Sequence, residues 1–332
     1  DVIKMLVVAQ FLAQSLNLLG DAGHLSRVMI GLFRQPVLIY NPAAGVSRRN
    51  PQVLLQRTIA ALTRVDLAPG LLPTSAPGEA GSLVQEAIRQ GADLILVLGG
   101  DGTVNEVVQG LAHSNVPLGV LPGGTANVLA MELGLGSRSE PAARTLAGFE
   151  PRPVALGQIT GSLGSDNFSR YFLLMAGAGL DANIVYEVSA GLKNAAGKLA
   201  YWAAGSAAFF KRVEQLEVRV DDRIYQCGFA LISRVRNYGG DLEIASGASL
   251  HDDDFEVVLF EGSNPLRYAW YMLNVALKRV QRIAGVTVLR AHHVEILTAT
   301  PVQIDGEYLG RQTATIEIVP GALQLLLPRK HG

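Results

Sequence analysis

The chain has 332 residues, enough for one large domain or two ordinary ones. Hydrophobic residues make up 49%, charged residues 17%, mean hydropathy is +0.26 and formal net charge is −1, a balance that excludes a general nucleic-acid binder and leaves open either a greasy partner or a core rich in glycine and alanine. The single Cys227 excludes a disulfide framework and a cysteine metal cluster, and no apolar run approaches the ~18 residues needed to span a membrane.

Residues 1–35 stand apart as an N-terminal helical extension. Met5–Ala9, Phe11–Leu12, Leu16, Leu18 and Leu19 predict a helix with a broad apolar face, broken by Gly20–Gly23 and followed by an apolar segment from Val28 to Phe33. A helix packed on the domain or on a partner subunit fits this pattern, and so does an interfacial membrane helix, although few Lys or Arg mark its polar face. The sequence opens at Asp1, not at methionine, which fits an upstream segment that is either missing or processed. The first residues carry no complete signal-peptide pattern, and a cytoplasmic setting follows as the expectation.

From Pro36 to about residue 150 the pattern predicts an α/β domain. Strands are expected at Val37–Tyr40, Leu67–Leu72, Leu94–Leu98 and Leu118–Leu121, and helices at 51–64, Gly78–Gln90, Thr103–Ala112 and Thr125–Leu133. Leu94–Leu98 is uninterrupted and apolar, as a strand of a parallel sheet covered on both faces requires. Near Pro151 the rhythm changes. Val154–Ile159, Tyr171–Ala176, Leu216–Val220, Tyr225–Ser233, Phe255–Phe260, Val286–Leu289, His293–Thr298, Val302–Ile304 and Thr313–Ile318 read as strands of a mostly antiparallel β domain over 151–332. Helical insertions interrupt them at Lys198–Lys211 and Leu266–Ala284, and Leu323–Leu327 is a late strand free to return to either domain.

Three loops follow successive strands of the α/β part. Gly99-Gly100-Asp101-Gly102-Thr103 wraps three glycines around one aspartate at the carboxyl end of a core strand, where parallel sheets place ligands and where a helix start offers N–H groups to an anion. Gly123-Gly124-Thr125-Ala126-Asn127 repeats the arrangement, and Asn41-Pro42-Ala43-Ala44-Gly45 follows the first strand. Neither a Walker A loop nor a dinucleotide fingerprint is present. Ile304-Asp305-Gly306-Glu307 predicts a hairpin turn with a carboxylate on either side of a glycine, suited to accepting a hydroxyl proton or organising Mg²⁺ if the β domain folds back over the glycine loops. The acidic run His251–Asp254 is either a solvated turn or a cation site. His292 and His293 precede a strand that turns their rings apart, and no serine–histidine–acid triad has a nucleophile elbow.

These motifs resemble the diacylglycerol kinase catalytic-domain family, in particular bacterial lipid kinases related to diacylglycerol, sphingosine and ceramide kinases. The resemblance rests on Asn41-Pro42 with Gly45, Thr74, Gly99–Thr103 with Asn105-Glu106, Gly124–Asn127 and Asp305–Glu307, and spans about residues 36 to 328. It implies an α/β nucleotide-binding domain, a β-sandwich-like C-terminal domain and an active site in the cleft between them. ATP would lie on Asn41, Thr74, Gly99, Gly100, Asp101, Gly102, Thr103, Asn105, Gly124, Thr125 and Asn127, with Asp101 acting through Mg²⁺. Glu307 matches the family's proton acceptor and Asp305 a supporting or metal-linked residue. Asp252, with the carbonyls of Ser249 and Asp254, matches a structural Mg²⁺ site. Two positions depart from the pattern: Asp253, where members usually carry glycine, and Val128, where many carry aspartate.

A lipid acceptor also draws on Leu266–Ala284. Leu266, Trp270, Leu273, Leu277, Val280 and Ile283 share one side there, with Arg267, Lys278, Arg279 and Arg282 within reach of anionic headgroups. A second aromatic and basic segment is Tyr201, Trp202, Phe209, Phe210, Lys211 and Arg212. Core packing and transient contact with the inner face of the cell membrane both account for these segments. Phosphorylation of NAD and a catalytically silent nucleotide-binding protein are the alternative functions. A homodimer is compatible with the sequence, and no nucleic-acid partner is expected.

Overall fold

The computed structural model describes residues 33–42, 50–163, 166–180, 213–239 and 242–329. The expected helix within residues 5–19, the insertion at Lys198–Lys211 with its aromatic and basic residues, and Gly45 lie outside the described residues.

The N-terminal part alternates β1 (Pro36–Tyr40), α1 (Pro51–Thr63), β2 (Gly70–Pro73), α2 (Ala80–Arg89), β3 (Leu94–Gly99), α3 (Asp101–Leu111), β4 (Leu118–Pro122), α4 (Val128–Glu132) and α5 (Ser139–Leu146). Its four strands pair in parallel in the order β2-β1-β3-β4. Every residue of β3 is buried, which its unbroken apolar run demands of a strand covered on both faces. Two helix starts differ from expectation. Asp101, not Thr103, begins α3, because Gly100 is already in extended conformation and serves as its N-cap. The next helix begins at Val128 because Asn127 adopts a left-handed φ of 49°. The sequence reading omitted α5, which packs on α1 and is fastened by the buried hydroxyl pair Thr58–Ser139 at 2.7 Å.

The C-terminal part is antiparallel. It comprises β5 (Phe149–Leu163), β6 (Asp166–Phe172), β7 (Met175–Gly179), β8 (Leu216–Val220), β9 (Arg223–Cys227), β10 (Phe229–Ser233), β11 (Asn237–Gly239), β12 (Leu242–Glu243), β13 (Phe255–Phe260), β14 (Val286–Ala291), β15 (His293–Ile304) and β16 (Glu307–Pro328). Phe172, Leu216, Ile232, Phe255, Val294 and Ile316 anchor a core inside the folded-over sheet, distinct from the larger core shared with the α/β part. The two parts form a two-domain α/β fold with a β-sandwich-like second domain. One sheet runs through both: the end of β16 pairs in parallel with β4 at Leu325–Leu118 and antiparallel with β5 from Leu323 to Pro328.

The strand expected over Tyr171–Ala176 is interrupted. Leu173 and Leu174 form a break between β6 and β7, for a reason that lies in the site below. The helix expected over Leu266–Ala284 is shorter: α6 spans Pro265–Ala276, with Pro265 at its first turn and the Asn264 side chain capping the N–H of Leu266 at 2.9 Å. A 3₁₀ turn at Val280–Arg282 follows it.

Candidate active site

The first two glycine loops after β3 and β4 touch backbone to backbone. The Gly123 N–H donates to the Gly99 carbonyl at 2.9 Å, and a Cβ on Gly124 would lie 2.4 Å from the Gly100 Cα. Side chains are therefore excluded from this seam for lack of space. Gly99 is closed in the same way by Thr103, whose Cβ would lie 2.8 Å away. Beside the seam is a cleft of ≈ 290 Å³ lined by Asn41, Thr74, Gly100, Gly102, Thr103, Glu106, Gly124 and Thr125, with Ala76 and Pro77 at its edge. Helix starts, glycine backbone and three threonines give it the donors that a phosphate chain needs.

Three expected nucleotide residues point elsewhere. The Asp101 carboxylate accepts from the N–H of Leu129 at 3.3 Å, so it braces the start of α4 from the opposite loop. Burial pushes its carboxyl above the usual carboxylate range, while N–H groups of Val128, Leu129, Asp101 and Asn127 draw it back. The Asn127 side chain closes its own loop, accepting from the Gly124 N–H at 2.8 Å and donating to the Gly124 carbonyl at 3.0 Å. Asn105, buried on α3, turns away to the C-terminal domain.

There Asn105 Nδ2 donates to Asp305 Oδ2 at 2.9 Å and to the Tyr171 carbonyl at 3.2 Å. Gln109, one turn on, donates to the same carbonyl at 2.7 Å and accepts the Tyr171 N–H at 3.0 Å. The pair at i and i+4 thus grips β6 with one helix face. Asp305 is buried and takes three further donors: the N–H groups of Leu173 at 3.0 Å, Leu174 at 2.9 Å and Met175 at 3.0 Å. Those N–H groups explain the gap between β6 and β7, since the chain leaves the ladder to serve the carboxylate. Burial pushes the Asp305 carboxyl up, and its four donors oppose that. Asp305 and Gly306, with φ of 46° and 84°, make the two-residue turn that joins Ile304 to Glu307, for which Asp-Gly is well suited.

Across that turn Arg170 on β6 forms a bidentate pair with Glu307, Nη1 to Oε1 at 2.7 Å and Nη2 to Oε2 at 2.8 Å, and Nη2 also donates to Asn105 Oδ1 at 2.9 Å. The Glu307 hydrogen bonds raise the Arg170 pKa above its ordinary value; burial works against this, and the charges of Glu307, Asp305 and Glu106 add to the rise.

The acidic turn is a separate arrangement. Arg290 donates to Asp252 Oδ2 at 2.7 Å, to Asp254 Oδ2 at 2.8 Å and to the Gly247 carbonyl at 2.8 Å. Arg234, wholly buried, donates to the carbonyls of Asp252 at 2.8 Å, Asp254 at 3.3 Å and Leu250 at 3.2 Å, and burial lowers its pKa to about 10. The Ser249 carbonyl accepts the Asp252 N–H at 3.2 Å. The Arg234 N–H in turn meets the Leu174 carbonyl at 2.8 Å, which ties this turn to the peptide segment that serves Asp305.

Residues 35–159 match the family model described as diacylglycerol kinase catalytic domain, and residues 175–327 match the YegS C-terminal NAD kinase beta sandwich-like domain. The diacylglycerol kinase of Bacillus subtilis (strain 168) is 30% identical over 307 residues, which cover 89% of this chain and 97% of that protein. The chain belongs to the diacylglycerol kinase family. It is a kinase with an alcohol acceptor. The diacylglycerol kinase of Mycobacterium tuberculosis (strain ATCC 25618 / H37Rv) is 28% identical over 262 residues, 76% of this chain and 82% of that protein. The crystal structure of a diacylglycerol kinase from Bacillus anthracis str. Sterne shares the fold, with a TM-score of 0.67, 23% identity and coverage of 89% and 98%.

The sequence resemblance implies metal in two places, and these differ in how their residues would fit an ion. Near the cleft, Asp101 and Glu106 are the carboxylates on α3. Among the described residues no group of three or more His, Cys, Asp or Glu stands together as a metal site. At the acidic turn the fit is poor. Two guanidinium groups already take the Asp252 carboxylate and the Asp252 and Asp254 carbonyls, and a divalent ion would share that space with two positive charges.

Sequence reasoning missed Arg170, Gln109, Arg234 and Arg290, and quoted Glu106 without giving it a role. Gln109 was within reach of helical spacing, four residues beyond Asn105. The others declare themselves only through partners distant in sequence.

Proposed function

We propose that this protein is an ATP- and Mg²⁺-dependent lipid kinase that phosphorylates the hydroxyl of a diacylglycerol-like acceptor. The observation that carries the reading is that α3, whose first turn lines the glycine cleft, also carries Asn105, which donates to Asp305 and accepts from Arg170, the partner of Glu307. The names of the relatives support the acceptor class.

The N–H groups of the two glycine loops and the hydroxyls of Thr74, Thr103 and Thr125 hold the triphosphate in the cleft. A bound Mg²⁺, with Asp101 and Glu106 as the carboxylates of α3, would supply positive charge to offset the negative charge of the triphosphate. Glu307 is about half exposed and keeps on each oxygen a lone pair that Arg170 does not use, so it can accept the acceptor's hydroxyl proton. As that O–H bond breaks, the oxygen bonds to the γ-phosphorus, the bond to the bridging oxygen breaks, and ADP leaves. Arg170 fixes the carboxylate's orientation. Asp305, with both oxygens engaged, positions the turn and does not touch the substrate.

Incubating the purified chain with labelled ATP, Mg²⁺ and separated lipid classes tests the reading. A phosphorylated diacylglycerol is expected. Conversion of NAD to NADP without a lipid product, or ATP binding with no transfer to any lipid class, would overturn it.

A further inference from the structure

Seven large hydrophobic residues are exposed among the described residues, and four of them lie on α6 and its C-cap: Leu266, Trp270, Leu273 and Leu277, at 78%, 55%, 51% and 55% exposure. Their spacing of four, three and four residues aligns them along one edge of the helix. The opposite edge is fully used. Tyr268, Tyr271 and Val275 are buried, the Tyr268 hydroxyl donates to the Phe260 carbonyl at 2.9 Å, and the Tyr271 hydroxyl donates to the carbonyls of Glu261 and Gly285 at 3.0 Å. The helix is therefore fixed in orientation, and its apolar edge faces outward by construction. Isolated exposed leucines are ordinary, but a row of four on one rigid helix is not.

Charge beside the row selects what covers it. Arg279 and Arg282, just past the helix, are exposed and form no ion pair among the described residues, whereas Lys278 is held by Glu243 at 3.6 Å and Arg267 leans over the Tyr271 ring. Two free guanidiniums next to an indole and three leucines match an anionic bilayer surface, with headgroups for the cations and an apolar boundary for the row. No helix among the described residues is long and apolar enough to cross a membrane. We infer that the Leu266–Trp270–Leu273–Leu277 edge of α6, with Arg279 and Arg282, is the surface by which this protein docks on anionic membranes. The inference takes from the lipid-kinase reading only the choice of a bilayer over a protein.

The test uses Trp270 as its own reporter, in the 332-residue chain carrying Trp202→Phe so that one tryptophan remains. Mixing with vesicles of phosphatidylcholine and phosphatidylglycerol should shift its emission to the blue, and vesicles of phosphatidylcholine alone should do so far less. Leu266→Ser with Leu273→Ser should abolish the shift while leaving the melting temperature unchanged, and Arg279→Gln with Arg282→Gln should weaken partitioning about tenfold or more. Unchanged Trp270 emission on anionic vesicles would overturn the proposal, as would a blue shift without vesicles that tracks dimer formation in the ultracentrifuge. Phosphorylation of a short-chain, water-soluble diacylglycerol separates the two readings. The serine variant should keep that activity and lose it on vesicle-borne acceptor, whereas absence of activity on both acceptors in the unmodified chain bears on the kinase reading and leaves the vesicle result standing.

Discussion

Arg170 and Glu307 meet fork to fork, two nitrogens on two oxygens at 2.7 and 2.8 Å, and the same guanidinium holds Asn105 of the other domain. The proposed proton acceptor is thus oriented by a cation that also reports on the closeness of the two domains. Glu307→Gln should lower kcat by about 10² or more and leave the melting temperature within roughly a degree. Arg170→Lys, which cannot keep two parallel bonds, should lower kcat with little change in KM for ATP. Steady-state kinetics beside a thermal melt checks both, and a Glu307→Gln enzyme with undiminished kcat removes the residue from the chemistry.

Asp305 behaves oppositely. Replacing it with Asn puts an amide NH₂ against N–H groups that now have an acceptor, leaving buried donors unpaired, at a cost of about 2–3 kcal/mol. The expected result is a clear fall in melting temperature by calorimetry, of a size that Glu307→Gln does not produce.

Gly124→Ala tests the seam between the glycine loops. Its new methyl group would sit 2.4 Å from the Gly100 Cα, so the loops must part. The affinity for ATP, read by calorimetric titration, should drop about tenfold or more, because the donors lining the cleft lose their spacing.

At the acidic turn, chelation should do little. If Arg290 and Arg234 neutralise Asp252 and Asp254, EDTA leaves the melting temperature unchanged, while Arg290→Ala lowers it by exposing like charges to one another. A fall in melting temperature on adding EDTA to the unmodified protein, restored by Mg²⁺, would instead assign the turn to a metal.

His293 gives a pH signature. Its hydrogen bond to Glu295 raises its pKa above 6.5, with Glu317 adding to the effect. Folding stability from this group is fully present below pH 6.5 and is lost as pH rises through the raised value. Denaturant midpoints measured between pH 6 and 8 should decline through this window, and the decline should be smaller in His293→Gln.

The parts of the fold that were legible are those in which neighbours in sequence are neighbours in function. Leu94–Leu98 followed by Gly99–Thr103 announces a buried strand and a close-packed glycine turn because the whole device is local. Asp305-Gly306 likewise announces its turn. The break at Leu173–Leu174 was not legible, since an apolar run of that kind continues a strand unless something captures its N–H groups, and the captor is Asp305, far along the chain. Asn127 and Asp101 were read as facing the cleft, yet each is spent on loop backbone, a choice settled by how closely the glycines let the loops approach. Arg170 carries no motif at all; only the fold brings it to Glu307. On α6 the apolar side was legible, but whether it packs in the core or faces outward was not, and the buried tyrosines on the opposite edge decide it.

The return of β16 to β4 has a consequence for how the protein is made. The sheet of the first domain lacks its β4 neighbour until Leu325 has left the ribosome, although β1 to β4 are synthesised long before. A nascent chain that ends after β5 carries an open strand edge beside a glycine-rich loop, the kind of edge that pairs with the wrong partner. Completion of the sheet behind the glycine cleft is thereby deferred to the end of translation, and a kinase truncated before its final strand is expected to be an aggregation hazard and not merely an inactive enzyme.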